Sequence, residues 1–172
     1  MLRHLCREDA AALYAIHSDP AATRYWSSAP WREAAQANAY LDTTLSGYAD
    51  GSRLCLGVAL RAGGELLGTC TLYAFNPQNR RCDIGYMLAP AHWGNGYMQE
   101  ALPALIAHGF DTLDLHRIEA DIDPRNTASA RLLERMHFLH EGRLRERWII
   151  AGEICDTDLF GLLRKDWRAA RA

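Results

Sequence analysis

Gly85-Tyr86-Met87-Leu88-Ala89-Pro90-Ala91-His92-Trp93-Gly94-Asn95-Gly96-Tyr97-Met98-Gln99-Glu100-Ala101 reads as a strand, a tight loop and the start of a helix. Residues 82–88 are short and apolar enough for a buried strand. Pro90 ends it, because proline has no N–H to give a ladder. The close glycine pair in Trp93-Gly94-Asn95-Gly96 excludes regular structure there. Met98, Leu102, Leu105, Ile106, Gly109 and Leu113 then recur at helical spacing. A glycine-rich turn that feeds a helix gathers free backbone N–H groups at the positive end of the helix dipole, where phosphate binds well. Glycines before a helix also serve as a plain strand–helix connection, so the stretch takes its meaning from what surrounds it.

Working backward, residues 66–75 and 53–60 read as two further strands. Ala62-Gly63-Gly64-Glu65 turns between them as a hairpin. Three antiparallel strands therefore arrive in sequence. Ahead of them lie an edge strand over 2–5 and a helix over 8–17, broken by Asp19-Pro20. A helical turn carrying Arg24, Tyr25 and Trp26 is expected next, then a second helix over 31–48 with a serine N-cap in Ser27-Ser28-Ala29-Pro30. Ala34, Asn38, Leu41, Leu45 and Tyr48 form its expected inner face. Working forward, a strand over 116–122 leads through Asp123-Pro124-Arg125-Asn126 to a helix over 127–136. Strands over 138–150 and 154–163 close the chain. Strand–helix–strand implies a parallel pair, so the expected sheet is mixed within an α/β layer fold.

The 172 residues suit one domain, 1–172, with one sizeable core. A formal net charge of −2 argues against a nucleic-acid binder, which is usually basic. No apolar run approaches a membrane span, and no signal peptide opens the chain. The five cysteines, Cys6, Cys55, Cys70, Cys82 and Cys155, are scattered through apolar runs, as reduced thiols in a cytoplasmic protein would be. The seven histidines show no metal-ligand spacing, so no metal site is expected.

Gly85-Tyr86, His92-Trp93-Gly94-Asn95-Gly96-Tyr97, Asp123-Pro124-Arg125-Asn126-Thr127-Ala128-Ser129, Glu141-Gly142, Arg145-Glu146-Arg147-Trp148 and Phe160-Gly161-Leu162-Leu163 follow one another along most of the chain. Together they resemble the GNAT superfamily of acyl-CoA N-acyltransferases. More narrowly they resemble the RimJ/RimL branch, whose named members acetylate the N-terminal amine of ribosomal proteins. The resemblance implies a mixed, mostly antiparallel twisted sheet, splayed at a V-shaped cofactor cleft and flanked by helices. It implies acetyl-CoA as acyl donor, held by His92, Trp93, Gly94, Asn95, Gly96, Tyr97 and Met98. Backbone groups of Met87 and Leu88 would meet the pantetheine arm, and Asn126 would either cap its helix or bond that arm. Two departures stand out. The family often has glutamine or arginine where this chain has Ala91, which matters little if backbone amides carry the phosphate. Pro103 removes one hydrogen bond of the helix after the loop and should bend it, beyond the phosphate-binding turn.

An amine attacking a thioester must be neutral, yet free amines are mostly protonated near pH 7, so a proton acceptor is needed. The oxyanion needs a preorganised donor, and the leaving thiolate gains from a nearby acid. Ser129 is the expected acid. It lies three residues after Asn126 on one face of a helix start, where the resemblance places a serine near the sulfur. For the base, Asp121 enters the Asp123-Pro124 turn where other branches carry a carboxylate. Glu146 lies near where the RimL type carries one, although direct alignment puts Trp148 there. Asp83 and Glu119 are further strand carboxylates. For each of these, a solvated face or an arginine pair is the plainer reading, and a water path is an alternative base. Trp26, Trp31, Tyr73, Tyr86 and Trp148 are the expected aromatic lining of the acceptor side, with core packing as the alternative.

These residues favour an N-acetyltransferase acting on a protein N-terminus, a small amine or an antibiotic-like amine, with a homodimer left open. The competing class is a non-catalytic acyl-CoA-binding module on the same fold. A nucleotide-binding domain is disfavoured, because three antiparallel strands precede the loop and no acidic ribose-binding residue follows at the expected spacing.

Overall fold

The computed structural model describes residues 1–171. Seven strands form one sheet in the order β1-β2-β3-β4-β5-β7-β6. They are β1 (Leu2–His4), β2 (Leu54–Ala59), β3 (Leu66–Asn76), β4 (Arg81–Leu88), β5 (Arg117–Ile122), β6 (Leu139–Ile150) and β7 (Glu153–Leu163). The helices are α1 (Ala10–Ser18), α2 (Ala35–Asp50), α3 (Tyr97–Asp111), α4 (Thr127–Arg135) and α5 (Arg164–Ala169). Every neighbouring pair of strands is antiparallel except β4 and β5.

That parallel pair positions the site. β4 and β5 are joined only at Arg81↔Arg117, Cys82↔Ile118 and Asp83↔Glu119. Beyond Asp83, β4 continues against β3 alone, through Ile84, Gly85, Tyr86, Met87 and Leu88. Beyond Glu119, β5 continues against β7 alone, through Ala120, Asp121 and Ile122. The sheet therefore opens into a wedge between the two strands, as the sequence predicts. Ion pairs clamp its closed end: Glu119 accepts from Arg81 and, at 2.7 Å, from Arg117 Nε, while Arg117 also holds Glu141.

The apolar spacing of α3 buries Met98, Ala101, Leu102, Leu105, Ile106 and Phe110 against Leu72, Cys82, Ile84, Ile118, Ala120 and Leu162. A Cβ on Gly109 would sit 3.2 Å from Ile118 and Leu115 and 3.3 Å from Leu72, so this glycine lets the helix lie close on the sheet. Each fully buried leucine contributes about 1.5–3 kcal/mol. Leu113 lies past the end of α3 and is exposed. The helix runs through Pro103 as one element. On the other sheet face Leu13, Ala37 and Leu41 cover Cys55 and Leu66.

Three expectations are corrected. The stretch after Asp19 turns helically but forms no regular helix: the Asp19 carboxylate accepts from Ala21 N at 2.7 Å and Ala22 N at 3.2 Å, its carbonyl takes Thr23 N, and Arg24 N and Trp26 N make only three-residue turns. Second, α2 starts at Ala35, not near Trp31, and no serine caps it. Trp31 N is tied to His17 O at 2.9 Å, and the Gln36 side chain accepts from Arg32 N and Glu33 N, which holds 31–33 outside the helix. Its buried face is consequently Ala37, Leu41, Thr44 and Gly47, whereas Ala34 and Asn38 are exposed. Third, α5 was not expected. Its six residues are too short for a periodic signal, yet Trp167 is buried against Phe110 with ring centroids 6.5 Å apart.

Candidate active site

The loop at the mouth of the wedge leaves its backbone open, the kind of geometry that suits an anion. Gly94 and Gly96 have φ of +76° and +79°, and a Cβ at either would meet nothing within 4 Å, so the backbone is open to solvent. Only glycine takes this conformation without strain. Gly96 is the N-cap of α3 and offers no side-chain cap. The first α3 N–H to find an acceptor is that of Glu100, on Gly96 O at 2.9 Å, which leaves the amides of the first turn free. Free amides at a helix N-terminus could hold a phosphate group. Around them, Trp93 is 51% exposed with its indole N–H on Leu88 O at 2.9 Å, and Asn95 bonds Trp93 O. His92 lies edge-on to Tyr97 at 6.1 Å, with Glu65 3.8 Å from its Nε2. Met98 points into the core instead.

Met87 and Leu88 divide their roles. A Cβ at Gly68 of β3 would collide with Met87 O, so that carbonyl faces β3. Backbone groups alternate sides along a strand, so Leu88 and Tyr86 present theirs to the open wedge. The Trp93 indole occupies the Leu88 carbonyl.

Across the wedge, Asn126 is the N-cap of α4, and its Oδ1 accepts from Ser129 N at 3.1 Å. The capping alternative is therefore realised, with the amide NH2 left over. Ser129 Oγ lies 2.7 Å from Tyr86 Oη. Tyr86 thus stands on the α4 side as partner to Ser129, away from the other expected lining aromatics. Burial pushes its phenol up to about 12, opposed by the Ser129 bond, so it stays protonated.

The opposite sheet face holds a second constellation. Trp26 and Tyr73 both approach Gly85, within 3.9 and 3.4 Å of where its Cβ would be. Cation–π contacts of Tyr25 with Arg24 at 5.1 Å and Arg125 at 5.8 Å tie this loop to the turn before α4. Burial, then the charges of Asp121 and Asp83, push the Tyr73 phenol up to about 12. Asp83 is itself raised by burial and by Glu119 and Asp121, against Arg81 3.9 Å away. Asp121 is exposed as a residue, yet desolvation of its carboxyl raises its pKa, with Trp148 and Arg147 acting the other way. Trp148 and Asp121 are thereby neighbours. Glu119 is the structural arginine partner described above.

Glu146 stands apart. It occupies the irregular stretch of β6 between Leu144 and Trp148, has φ of +53°, and is exposed. Its N–H bonds Asp156 at 2.9 Å, and among the described residues its carboxylate makes no ion pair, with Arg145 and Arg147 or otherwise. Trp31 packs into the smaller core, stacked on His17 at 4.1 Å.

Two residues that sequence reasoning did not single out complete this face. His17 is 3% exposed, lies edge-on to Trp26 at 6.1 Å, and has no partner for Nε2. Burial, then the Arg53 charge, lowers its pKa to about 4. The Arg53 guanidinium lies 4.6 Å over the Tyr40 ring, its Nε is buried without an acceptor, and among the described residues no carboxylate pairs with it. The available signals were a histidine ending an apolar helix face and an arginine alternating with Cys55, both common in structural roles. Among the described residues no group of three His, Cys, Asp or Glu side chains is placed to hold a metal ion.

Residues 1–139 match the acetyltransferase (GNAT) domain family. The chain is 34% identical over 166 residues to the uncharacterized N-acetyltransferase p20 of Bacillus licheniformis, covering 96% of this chain and 93% of that protein. It is 31% identical over 108 residues to the putative ribosomal N-acetyltransferase YdaF of Bacillus subtilis, covering 63% and 59%. Its fold superposes with a TM-score of 0.86 on spermidine N-acetyltransferase from Vibrio cholerae in complex with CoA and spermine, at 23% identity, covering 98% of this chain and 97% of that one.

Proposed function

The chain belongs to the GNAT acetyltransferase family, and we propose that its described wedge carries out direct acetyl transfer from acetyl-CoA to a primary amine. The observation that carries this is the opening between β4 and β5 beyond Asp83, with the uncapped α3 N-terminus at its mouth. The 94–98 amides hold the pyrophosphate, flanked by His92 and Trp93. Leu88 and the Asn126 amide orient the arm that follows. Bound acetyl-CoA supplies an acetyl group activated as a thioester. Trp26, Tyr73 and Trp148 line the acceptor side.

Ser129 and Tyr86 supply the proton for the departing sulfur. Tyr86 stays protonated; of the two directions open to its 2.7 Å bond with Ser129 Oγ, donation by Tyr86 leaves the serine proton free to point into the wedge. Asp121, whose carboxyl is raised by desolvation, takes the proton that the amine must lose, directly or through water. A carbon–nitrogen bond forms, the carbon–sulfur bond breaks, one proton passes from nitrogen to Asp121 as another reaches sulfur from Ser129, and exchange with solvent then removes the Asp121 proton and restores the one on Ser129. No enzyme nucleophile is required.

The acceptor is a protein N-terminus or a small amine. The similarity to a relative named as a putative ribosomal N-acetyltransferase and the spermine bound by a structural neighbour support these two alternatives respectively. Cytoplasmic residence agrees with the four buried thiols Cys55, Cys70, Cys82 and Cys155, and no described helix is long and apolar enough to cross a membrane. A homodimer fits the exposed Leu139, Leu144, Ile149 and Ile154 of the β6–β7 hairpin. Thiol release from acetyl-CoA across a panel of amines and N-terminal peptides tests the assignment. Amine-dependent release supports it, and coenzyme A binding without turnover of any acceptor favours a non-catalytic binding module.

A further inference from the structure

The acceptor side holds charges of both signs, and they are separated. Continuing the β2–β3 register one residue past Leu54↔Leu72 sets Arg53 opposite Tyr73, which pairs with Asp83. Side chains alternate faces along a strand, so Arg53, Tyr73 and Asp83 share the face of Gly85 that Trp26 covers. Arg53 stands two strands from Gly85, about 10 Å across the sheet. On the wedge side lie Asp83 and Asp121, while Glu119 is neutralised by Arg81 and Arg117. On the far side the Arg53 guanidinium has an aromatic ring beneath it and, among the described residues, no carboxylate beside it and no acceptor for its buried Nε. Beside it His17 Nε2 is likewise buried and unbonded. Arg53 as a whole is half-buried, but its Nε and His17 Nε2 are buried without partners, and a buried polar group left unpaired is costly.

Resting on the acetyltransferase reading above, we propose that the acceptor is a small amino acid whose carboxylate is received by Arg53 and His17 while its amine lies toward Asp121 and the wedge. A planar guanidinium reads a carboxylate by paired N–H donors, which an ammonium cannot provide. The neutral His17 imidazole adds one further bond. A polyamine would set an ammonium against Arg53, repelled by like charge. A peptide N-terminus would bring a neutral carbonyl there.

The test is thiol release at saturating acetyl-CoA with matched acceptors: free lysine against cadaverine, free phenylalanine against phenethylamine, together with spermidine and a tripeptide amide. At least one amino acid should exceed its decarboxylated partner by about tenfold or more in kcat/KM, the size expected of a charge-assisted bond. Arg53→Gln should bring that ratio to within about threefold, by raising the KM of the amino acid. Arg53→Lys, which keeps the charge without the fork, should retain part of the preference and serves if the glutamine variant does not fold. Equal use of both partners in every pair, spermidine or the tripeptide as best acceptor, or equal losses for both partners in Arg53→Gln would overturn the proposal. If no acceptor turns over, the same compounds are titrated into coenzyme A-loaded protein and followed by tryptophan fluorescence. Saturable quenching by the amino acids alone supports it, and any other pattern rejects it. Calorimetric binding of coenzyme A keeps the two failures apart: intact binding with no carboxylate preference defeats this inference and leaves the acetyltransferase reading standing.

Discussion

Removing the Ser129 hydroxyl probes the mechanism where the geometry is most specific. In Ser129→Ala the sulfur loses its proton donor, and Tyr86 Oη, 2.7 Å away, loses its close partner, keeping only Ser129 O at 3.4 Å. A positioned acid contributes about 10²–10⁴-fold, less for a leaving group as good as a thiolate, so kcat should fall about 10- to 100-fold. That corresponds to about 1.4–2.7 kcal/mol of activation free energy. Tyr86→Phe keeps the donor but frees its rotor, for an expected loss of about three- to tenfold. If Tyr86 works only through Ser129, the two effects are not additive. The double variant should match Ser129→Ala within about twofold, with the KM for acetyl-CoA little changed in all three. Single-turnover thiol release measures each rate. A wild-type rate in Ser129→Ala would make the hydroxyl structural, and multiplying losses in the double variant would refute the relay.

Three further outcomes follow from the same geometry. Asp121→Asn should lose activity most at low pH, where the amine is most protonated, whereas Glu146→Gln should keep the wild-type pH–rate profile; an unchanged profile in both would leave proton removal to water. His17 stays neutral when folded down to about pH 4 but protonates near 6.5 when unfolded, so stability should be full above 6.5 and decline by up to about 3 kcal/mol as the pH falls to 4. Urea titrations should show this slope flattened in His17→Phe, and an equal slope in both proteins would contradict it. Gly68→Ala would press a Cβ into Met87 O and Leu88 Cα, both backbone, and should cost at least about 2 kcal/mol by thermal unfolding, an unaltered midpoint arguing against this strand contact.

The sequence pattern made the sheet readable because turns and strands announce themselves locally. Gly63-Gly64 marked the β2–β3 hairpin, Pro90 marked the end of β4, and the strand–helix–strand run around α3 required the one parallel pair. The wedge followed from that order of elements. The start of α2 did not, because a long-range bond from Trp31 N to His17 O decides it. Asn126 and Ser129 were legible as a helix-start pair, but the Tyr86 bond to Ser129 joins residues 43 apart in the chain. Tyr86 consequently looked like any strand aromatic. Arg53 and His17 were invisible as site residues for the same reason. An arginine acquires meaning only when its surroundings offer no carboxylate, and that is a property of the packed face.

The central claim is that the 94–98 loop and the α3 N-terminus seat the acyl donor in the β4–β5 wedge. Isothermal calorimetry of coenzyme A with the wild-type chain and with Gly96→Val, each verified as folded by its thermal midpoint, tests it most directly. A valine at φ +79° is strained, and its branched side chain fills the open space through which a phosphate would approach this backbone. The account predicts micromolar binding to the wild type and at least tenfold weaker binding to the variant, about 1.4 kcal/mol. No binding to the wild type, or equal affinity in a folded Gly96→Val protein, would contradict it.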